Sequence, residues 1–408
     1  MVNMMRARRL LLAAAVALLM TVQWPASVAA RTFCVNPGGT SGCYAAIQDA
    51  INAADWWDTI NVAAGTYHET NILVDKGLTI NGAGPKATIV DGGGAGEVFR
   101  FQPGLATLTG MQLRHAERGV NTNVDGCGGT ITLVDMLITE NSTGTGAGVW
   151  APCVTLTIIG STIANNNATG TPGVFGCDWG GGSGGGIAML CSGTVLNLIN
   201  STVSGNTATF VGGGIVANDT DLTMVNSTIS GNSSAHEIGG GGLFVGGAFP
   251  RVTINSSTFA NNSAVQGAGI ASGFDPGTGA HLALRESIMD NRDGADCAQF
   301  TPFTSEGYNV GRDASCGFTS AGDVENRSAR LLPLANNGGP TKTHALRGNS
   351  PALDRVPAAL CAPPTHDQRG VGRPQGARCD SGSYEKQRGD GDDHGHDQDG
   401  GHDRDRHQ

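Results

Sequence analysis

The sequence predicts an all-β fold: a right-handed parallel β-helix with a short N-terminal capping helix and a non-repeat C-terminal segment. Three observations predict it. An apolar motif recurs six times between residues 131 and 291, an asparagine follows each copy, and glycine clusters recur at the same period. A repeat this short cannot bury a core alone, so the copies must stack as coils of a solenoid. Parallel crossovers are strongly biased to the right hand, which sets the expected handedness.

Each copy places two apolar residues two positions apart, then a third apolar residue, then an asparagine three positions further on. The first apolar positions are Ile131, Leu156, Leu196, Leu222, Val252 and Leu282. The second are Leu133, Ile158, Leu198, Met224, Ile254 and Leu284. The third are Ile138, Ile163, Val203, Ile229, Phe259 and Ile288, and the asparagines are Asn141, Asn166, Asn206, Asn232, Asn262 and Asn291. Adjacent coils should stand about 4.8 Å apart, so roughly nine or ten coils would form a rod about 45 Å long.

The asparagines and glycines have structural explanations. Stacked amides can hydrogen-bond along the axis of a solenoid, which predicts an asparagine ladder. Some asparagines, such as Asn200 and Asn226, begin Asn-x-Ser/Thr sequons, so glycosylation is the alternative. We favour the ladder because the repeat itself generates these triplets. The glycine clusters at residues 146–148, 184–186, 212–214, 239–242 and 267–269 each precede an apolar residue, so we expect corners where backbones approach closely or φ is positive.

The N-terminal region is predicted to differ from the coils. Residues 1–30 have the arginines, apolar run and small residues of a secretory signal peptide, cleaved near Ala30. Residues 31–58 are predicted to form a cap, because residues 44–54 have the apolar spacing of a short amphipathic helix. Such a helix would cover the edge strands of the first coil. We expect the β-helix itself to span residues 59–325, with less regular coils before the clear repeat.

Ten cysteines follow the predicted signal, and export makes disulfides plausible. We expect each cysteine to pair with its neighbour in sequence. The expected pairs are Cys34–Cys43, Cys127–Cys153, Cys177–Cys191, Cys297–Cys316 and Cys361–Cys379. None of these pairs has the Cys-x-x-Cys spacing that is typical of zinc or redox sites.

Composition and charge exclude some classes of partner. The net charge is −10, and the body between residues 31 and 385 alone carries −10. An acidic body argues against nucleic acid and anionic lipid as partners. The single long apolar run, within the predicted signal, is too short for a membrane span. With 64 glycines and 5% aromatic residues, the composition suits a solenoid with a thin continuous core.

The C-terminal region carries several separate motifs. Residues 331–346 read LLPLANNGGPTKTHAL, and NSPALD, HDQRGV and CDSGSYE follow at 349–354, 366–371 and 379–385. This pattern resembles the choice-of-anchor Q domain of bacterial surface and secreted proteins. That domain typically follows a right-handed β-helix of the pectin-lyase-like type, and residues 45–69 resemble the opening of such a β-helix. The resemblance implies a choice-of-anchor Q-like domain over residues 326–385.

Members of that family usually continue into a sorting or anchoring signal. Residues 386–408 form a hydrophilic tail with neither an apolar segment nor a sorting motif. We therefore expect the protein to be secreted, or weakly retained at the cell surface. The tail holds His394, His396, His402 and His407 among aspartates, which allows weak binding of a divalent metal. The favoured alternative is a disordered solubilising tail.

Charged residues of the C-terminal motifs suggest a polar clasp. Asp354, Asp367, Arg369, Arg373 and Glu385 are expected to pair as this segment folds back onto the last coil. Catalysis by the same residues is the less favoured alternative, because nucleophile, base and cleft are not separately visible.

The pectin-lyase-like resemblance implies polysaccharide lyases, hydrolases or esterases as possible activities. A lyase needs carboxylates that bind Ca²⁺ and a base, and a hydrolase needs paired carboxylates. One candidate cluster comprises His115, Glu117, Arg118 and Asp125. A second comprises His281, Arg285, Glu286, Asp290, Arg292, Asp293 and Asp296 on the last coil. The favoured alternative for both is a solvated coil edge.

An insertion at about residues 167–186 is the third place where the repeat breaks. It contains Cys177, Asp178 and Trp179. Long insertions in solenoids often bind ligands. The favoured alternative is a loop closed by a disulfide between Cys177 and Cys191.

The sequence therefore predicts a secreted or cell-surface, non-catalytic β-helix used for binding, adhesion or surface structure. Its expected ligand is an extracellular polysaccharide or a cell-surface glycan. The alternative is a carbohydrate-active enzyme, a polysaccharide lyase or hydrolase. No catalytic residue, cofactor or metal site is assigned, although a lyase would use Ca²⁺. Charged residues on one strand face over three adjacent coils, beside a groove, would favour the enzyme, and scattered charges would favour the rod.

Overall fold

The computed structural model describes residues 29–122, 126–171, 181–273, 281–298, 303–361, 365–387 and 389. These residues form a parallel β-helix of about nine coils, as the repeat predicts. Each coil passes through a first, a second and a third sheet before it returns to the first. No helix in this described part of the chain has both the length and the apolar character needed to cross a membrane.

The strands of each sheet are parallel and stack along the axis. The first sheet contains Thr32–Val35, Thr59–Val62, Leu78–Gly82, Leu105–Thr109, Thr130–Val134, Thr155–Ile159, Thr194–Ile199, Thr220–Val225, Arg251–Asn255, His281–Arg285 and Thr304–Ser305. The second contains Gly65–Tyr67, Thr88–Asp91, Gln112–Arg114, Leu137–Thr139, Thr162–Ala164, Thr202–Ser204, Thr228–Ser230, Thr258–Ala260, Ile288–Asp290 and Val310–Gly311. The third contains Ile72–Val74, Glu97–Phe101, Arg118–Asn121, Val149–Trp150, Ile187–Met189, Ile215–Asn218, Leu243–Gly246, Ile270–Ser272 and Cys297–Ala298. A short fourth sheet contains Ser142–Thr143, Asn167–Ala168, Thr207–Ala208 and Ser233–Ser234.

The predicted apolar rows form the core. Residues of the first row are direct neighbours in consecutive strands, from Ile131 beside Leu156 to Val252 beside Leu282. The second row is paired in the same register, and both rows are almost fully buried. Successive residues of a strand point to opposite faces, so the residues between these positions face outward.

The third row is predicted wrongly in the last coil. Phe259 pairs with Met289, and Ile288 pairs with Thr258 instead. The preceding coils place a residue with positive φ just before the ladder asparagine, such as Asn261 before Asn262. The last coil lacks this residue, so only two positions separate Met289 from its asparagine. The predicted spacing of three therefore selected the wrong apolar residue.

The asparagine ladder is confirmed. Each ladder amide donates from Nδ2 to Oδ1 of the asparagine in the next coil, at 2.9–3.0 Å from Asn141 through to Asn291. The same oxygen accepts the backbone N–H of the preceding asparagine at 2.9–3.1 Å. All six side chains are buried, and so is the sequon residue Asn226. Burial of Asn226 in the folded chain favours the structural explanation at this position.

The glycine corners combine both expected features. The first glycine of each corner has a positive φ, for example +61° at Gly146 and +64° at Gly212. The last glycine faces the neighbouring coil so closely that a Cβ on Gly148 would lie 2.4 Å from the Gly186 carbonyl oxygen. Any larger residue would therefore push the coils apart.

The predicted cap contains a helix, Ile47–Ala53, whose Ile47, Ala50 and Ile51 are buried against the first coil. The Glu69 carboxylate accepts the backbone N–H of Ile47 at 2.8 Å and that of Gln48 at 3.1 Å. A carboxylate at this position satisfies free amides of the helix N-terminus. The same region also supplies Thr32–Val35, the end strand of the first sheet.

Four of the expected disulfides are present: Cys34–Cys43, Cys127–Cys153, Cys297–Cys316 and Cys361–Cys379. Cys191 is also disulfide-bonded, and its expected partner Cys177 lies outside the described residues. The bonds are consistent with an oxidising, extracellular environment.

The C-terminal segment, described at residues 326–361 and 365–385 and here called the strap, departs from the repeat. It contains an antiparallel pair, Val356–Pro357 with Arg378–Cys379, and a short 3-10 helix, Ala358–Leu360. Its apolar residues Leu346, Ala352 and Tyr384 pack with Ile288 and Val310 of the last coils.

Candidate functional site

The first predicted cluster is organised by Asp91. Its Oδ2 accepts from Arg114 Nε at 2.8 Å and lies 3.1 Å from His115 Nδ1. His115 Nε2 lies 3.1 Å from the Glu140 carboxylate of the next coil. Burial acts to raise the pKa of Asp91, but hydrogen bonds from the Gly93 amide, His115 and Arg114 outweigh it and lower the pKa. These contacts brace the turn after the second sheet.

The other members of that cluster are separated from His115. Arg118 Nη1 pairs with the buried Glu97 carboxylate at 2.7 Å, and Asn121 Nδ2 donates to both Glu97 oxygens at 2.8 and 2.9 Å. Glu117 is exposed, and Asp125 lies outside the described residues. The three described members, His115, Glu117 and Arg118, therefore do not form one site.

Carboxylates of the last coil hold neighbouring backbone and side chains. Glu286 is buried and pairs with Arg285 Nε at 3.0 Å. Asp290 accepts from Ser328 Oγ at 2.9 Å and from the Ala329 N–H at 3.0 Å, so it fastens the start of the strap. Both carboxylates are closed to a substrate.

Asp296 terminates the asparagine ladder. Its Oδ1 accepts from Asn291 N and Nδ2 at 2.8 and 3.0 Å, and its Oδ2 accepts the Arg312 N–H at 2.8 Å. Burial raises the pKa of Asp296 to about 7. Arg292 and Asp293 are exposed, so the predicted second cluster is also divided among separate contacts.

The polar clasp exists, with one change of membership. Arg369 Nη2 pairs with Asp367 at 2.8 Å and Arg373 Nη1 with Glu385 at 3.4 Å, and all four side chains are buried. Asp354 is exposed and contributes only its backbone N–H, which donates to Asp380 Oδ1 at 2.7 Å. Burial and the Asp380 charge raise the pKa of Glu385 to about 7.

The strap contacts the last coil as predicted, and it also extends over earlier coils. Gln368 reaches much earlier coils: its Nε2 donates to Thr202 Oγ1 at 2.9 Å, and its Oε1 accepts from Thr228 Oγ1 at 2.6 Å. The Ser383 N–H donates to Thr258 Oγ1 at 3.0 Å. These threonines occupy one position in consecutive strands of the second sheet. The strap therefore runs back along the axis over several coils.

A buried serine–histidine pair lies under the strap. Ser230 Oγ lies 2.8 Å from His344 Nε2, and His344 Nδ1 lies 2.7 Å from the Leu332 carbonyl oxygen. Burial lowers the pKa of His344, so the neutral ring donates to Leu332 and accepts from Ser230. Both side chains are almost fully buried, so this pair holds the strap and has no access to a substrate.

The predicted insertion site cannot be placed. Cys177, Asp178 and Trp179 lie outside the described residues, as do the tail histidines. Among the residues that are described, no group of three or more His, Cys, Asp or Glu side chains is arranged to hold a metal ion.

A groove that sequence reasoning missed opens on the outer side of the first sheet. It has a volume of about 150 Å³ and is lined by Trp57, Leu105, Thr79, Thr107 and Thr132, among others. Trp57 is 60% exposed and has a φ of +74°, and its backbone N–H donates to the Gly77 carbonyl at 2.6 Å. Because 19 described non-glycine residues have a positive φ, the exposure of Trp57 beside the groove, and not its φ, distinguishes it.

A row of exposed charges was also missed. Asp221, Arg251 and His281 are direct neighbours on three consecutive strands of the first sheet. Each stands one position before the first apolar residue of its copy, so an alignment of the six copies would have found the row. Only His281 was among the predicted candidates.

Comparison with solved structures finds proteins of low sequence identity to this chain. Pectate lyase Pel9A has a TM-score of 0.49 and 12% identity, covering 87% of this chain and 96% of its own. Pectin methylesterase PemA from Erwinia chrysanthemi has a TM-score of 0.36 and 11% identity, covering 66% and 92%. Alginate lyase from Paenibacillus sp. str. FPU-7 has a TM-score of 0.33 and 14% identity, covering 67% and 97%. No curated protein sequence matches the chain.

The family described as the right handed beta helix region matches residues 106–284. These residues include the six clear copies up to the second apolar position of the last one. Together with the stacked parallel sheets, this match shows a right-handed β-helix over residues 106–284.

Proposed function

We propose that this chain is secreted and acts outside the cell as a non-catalytic, rod-shaped protein that binds a glycan. One observation carries the proposal: an exposed Trp57 borders a groove lined by threonines from consecutive coils. Sugars present C–H groups that pack on an indole face and hydroxyls that bond to polar side chains. Exposed aromatic residues beside concave surfaces are common at binding sites.

The fate of the predicted charged residues supports a non-catalytic role. Glu286, Asp290 and Asp296 bind backbone and side-chain groups of the last coils and the strap. Asp367 and Glu385 are buried in ion pairs. A hydrolase or lyase needs carboxylates that reach the substrate, and these carboxylates do not.

We further propose that the strap belongs to a choice-of-anchor Q-like domain over residues 326–385, that residues 31–58 form the cap, and that residues 1–30 are removed on export. The four described disulfides and the motifs of the strap support this organisation. N-terminal sequencing of the secreted protein tests the cleavage, and a mature N-terminus far from Arg31 would contradict it.

A carbohydrate-active enzyme is the second candidate, favoured by the row Asp221, Arg251 and His281. Three neighbouring coils carry these residues on one strand face, which meets the charge part of the condition for an enzyme. Among the described residues the groove with Trp57 lies several coils away from this row. The separation makes binding the better supported function.

The experiment that tests the proposal combines a glycan array with product assays. We expect retention of at least one extracellular glycan and no release of reducing ends or unsaturated products from a panel of uronans. Turnover that is lost in Asp221→Asn or His281→Ala would establish the enzyme instead. Absence of glycan binding and of turnover would refute both candidates.

A further inference from the structure

The outer side of the first sheet carries a regular column of threonines. The five strands from Leu78–Gly82 to Thr194–Ile199 define what we call the threonine face. The column at its centre, in register from coil to coil, is Thr79, Thr107, Thr132, Thr157 and Asn197. These side chains are half-buried and alternate with core residues, so they point outward. Neighbouring hydroxyls in the column are spaced by about 4.8 Å.

The threonine face is uncharged, although the protein is strongly acidic. Every residue in its five described strands is neutral, and the first charge within a strand beyond them is Asp221 in the next coil. Asp135 is exposed at the edge of the face, in the turn directly after Val134. The flanking column is Thr109, Val134, Ile159 and Ile199. A net charge of −10 repels polyanions such as uronans, and the face offers no cations to offset that repulsion. Its electrostatic complement is an uncharged ligand.

The chemistry of the face matches a neutral sugar polymer. Each threonine presents a hydroxyl that donates and accepts hydrogen bonds and a methyl group that packs on C–H surfaces. The column repeats these groups along the axis, so a ligand that repeats along its own length can use several coils at once. Trp57 and Leu105 project beside Thr79 and Thr107 and give the N-terminal end of the face an apolar platform.

We propose that the threonine face and Trp57 bind an uncharged polysaccharide whose chain runs along the axis of the β-helix. This inference rests on the proposed function and names its site and its class of ligand. It differs from the uronan substrates that the pectin-lyase-like resemblance implies. The strap contacts the second sheet and the turns that follow the first-sheet strands, such as Asn200. The threonine column itself stays partly exposed with the strap in place.

The test is retention of the full mature chain on cellulose, chitin and mannan, compared with polygalacturonate and alginate gels. Trp57→Ala removes the platform, and Thr132→Glu places a carboxylate in the middle of the column. Thr253→Glu is the matched control, because Thr253 occupies the same column three coils beyond Thr157, outside the face. Equal thermal unfolding midpoints would show that all three variants fold.

We expect retention on at least one uncharged polysaccharide, lowered about tenfold by Trp57→Ala and by Thr132→Glu and unchanged by Thr253→Glu. Retention on the charged gels alone would overturn the inference while supporting glycan binding. Retention that neither variant lowers would place the site elsewhere and also overturn the inference. Absence of retention on every polysaccharide would refute the inference together with the proposed function.

Discussion

At the scale of single residues, buried amides fix the register of the coils. A ladder asparagine uses its Oδ1 for two N–H groups of the preceding coil and its Nδ2 for a carbonyl and for the next asparagine, as Asn232 does. If one coil shifted its register against the next by a residue, these buried groups would lose their partners. Each unpaired group would cost about 1–3 kcal/mol of stability. The ladder ends at a carboxylate because Asp296 can accept from Asn291 without a further donor of its own.

Asn232→Ala should therefore be strongly destabilising. The substitution removes the acceptor of the Asn206 backbone and side-chain N–H groups, so we expect a loss of about 3 kcal/mol in the free energy of unfolding. Urea unfolding followed by circular dichroism measures it. Asn255→Ala, a partly exposed asparagine on the first sheet, is the control and should cost about 0.5 kcal/mol or less. Equal losses in the two variants would contradict the role of the ladder.

At the scale of elements, the strap is held on the second sheet by polar contacts. Its contacts join residues more than one hundred positions apart, such as Gln368 and Thr202 or Ser383 and Thr258. Where the strap covers the second sheet, Thr202, Thr228 and Thr258 are fully buried, whereas the equivalent Thr162 of an earlier coil is only half-buried. The strap therefore protects one face of the solenoid.

Gln368→Ala should loosen the strap while the coils stay folded. Its amide bonds with Thr202, Thr228 and Thr341, so removal leaves several buried hydroxyls with fewer partners. Hydrogen exchange should rise in the strap and remain slow in the first sheet. Gln375→Ala is the matched control, because that side chain bonds only within the strap, to the Gly372 carbonyl. Exchange that rises equally in both variants would show that Gln368 does not fasten the strap.

The clasp should make stability depend on pH. The pKa of Glu385 is raised in the folded state from 4.5 to about 7, so its contribution is fully present below about pH 4.5 and is lost as pH rises through about 7. Relative to Glu385→Gln, the wild-type free energy of unfolding should fall between about pH 4.5 and 7, by at most about 1.4 kcal/mol per pH unit, and should level off above that range.

The comparison with Glu385→Gln removes the titration of Glu385 together with its coupling to Asp380, whose pKa is also raised by burial. Asp296, whose pKa is also raised, and His344, whose pKa is lowered, are present in both proteins and contribute equally. Parallel pH profiles of urea unfolding for the two proteins would contradict the raised pKa of Glu385.

At the scale of the whole molecule, the repeat in the sequence predicted the features that depend on the stacking of coils. Core rows and ladder asparagines recur with the coil, so their registers could be assigned from the sequence. The changed register of Ile288 could not be assigned from the sequence, because Met289 beside it is equally apolar and the residue that the last coil lacks lies in a turn. The route of the strap could not either, since long-range contacts of Gln368 follow no local period.

The candidate site was harder to predict than the fold for a similar reason. Trp57 belongs to the cap, and only the folded backbone bond to Gly77 sets it beside the threonines of later coils. The threonines themselves carry a sequence signal, since each stands between the first and second apolar positions of a coil. The charged residues were the predicted site candidates, and in the structure most of them make contacts within the protein.

The most direct test of a glycan-binding rod is calorimetric titration with a series of uncharged oligosaccharides of increasing length, from the glycan that the array selects. A ligand that lies along the threonine face gains contacts with each further coil, so Kd should fall with each added sugar until the oligosaccharide spans the face. Thr132→Glu should abolish that gain. Equal affinity for the shortest and longest oligosaccharides, or binding of charged oligogalacturonates alone, would contradict the account.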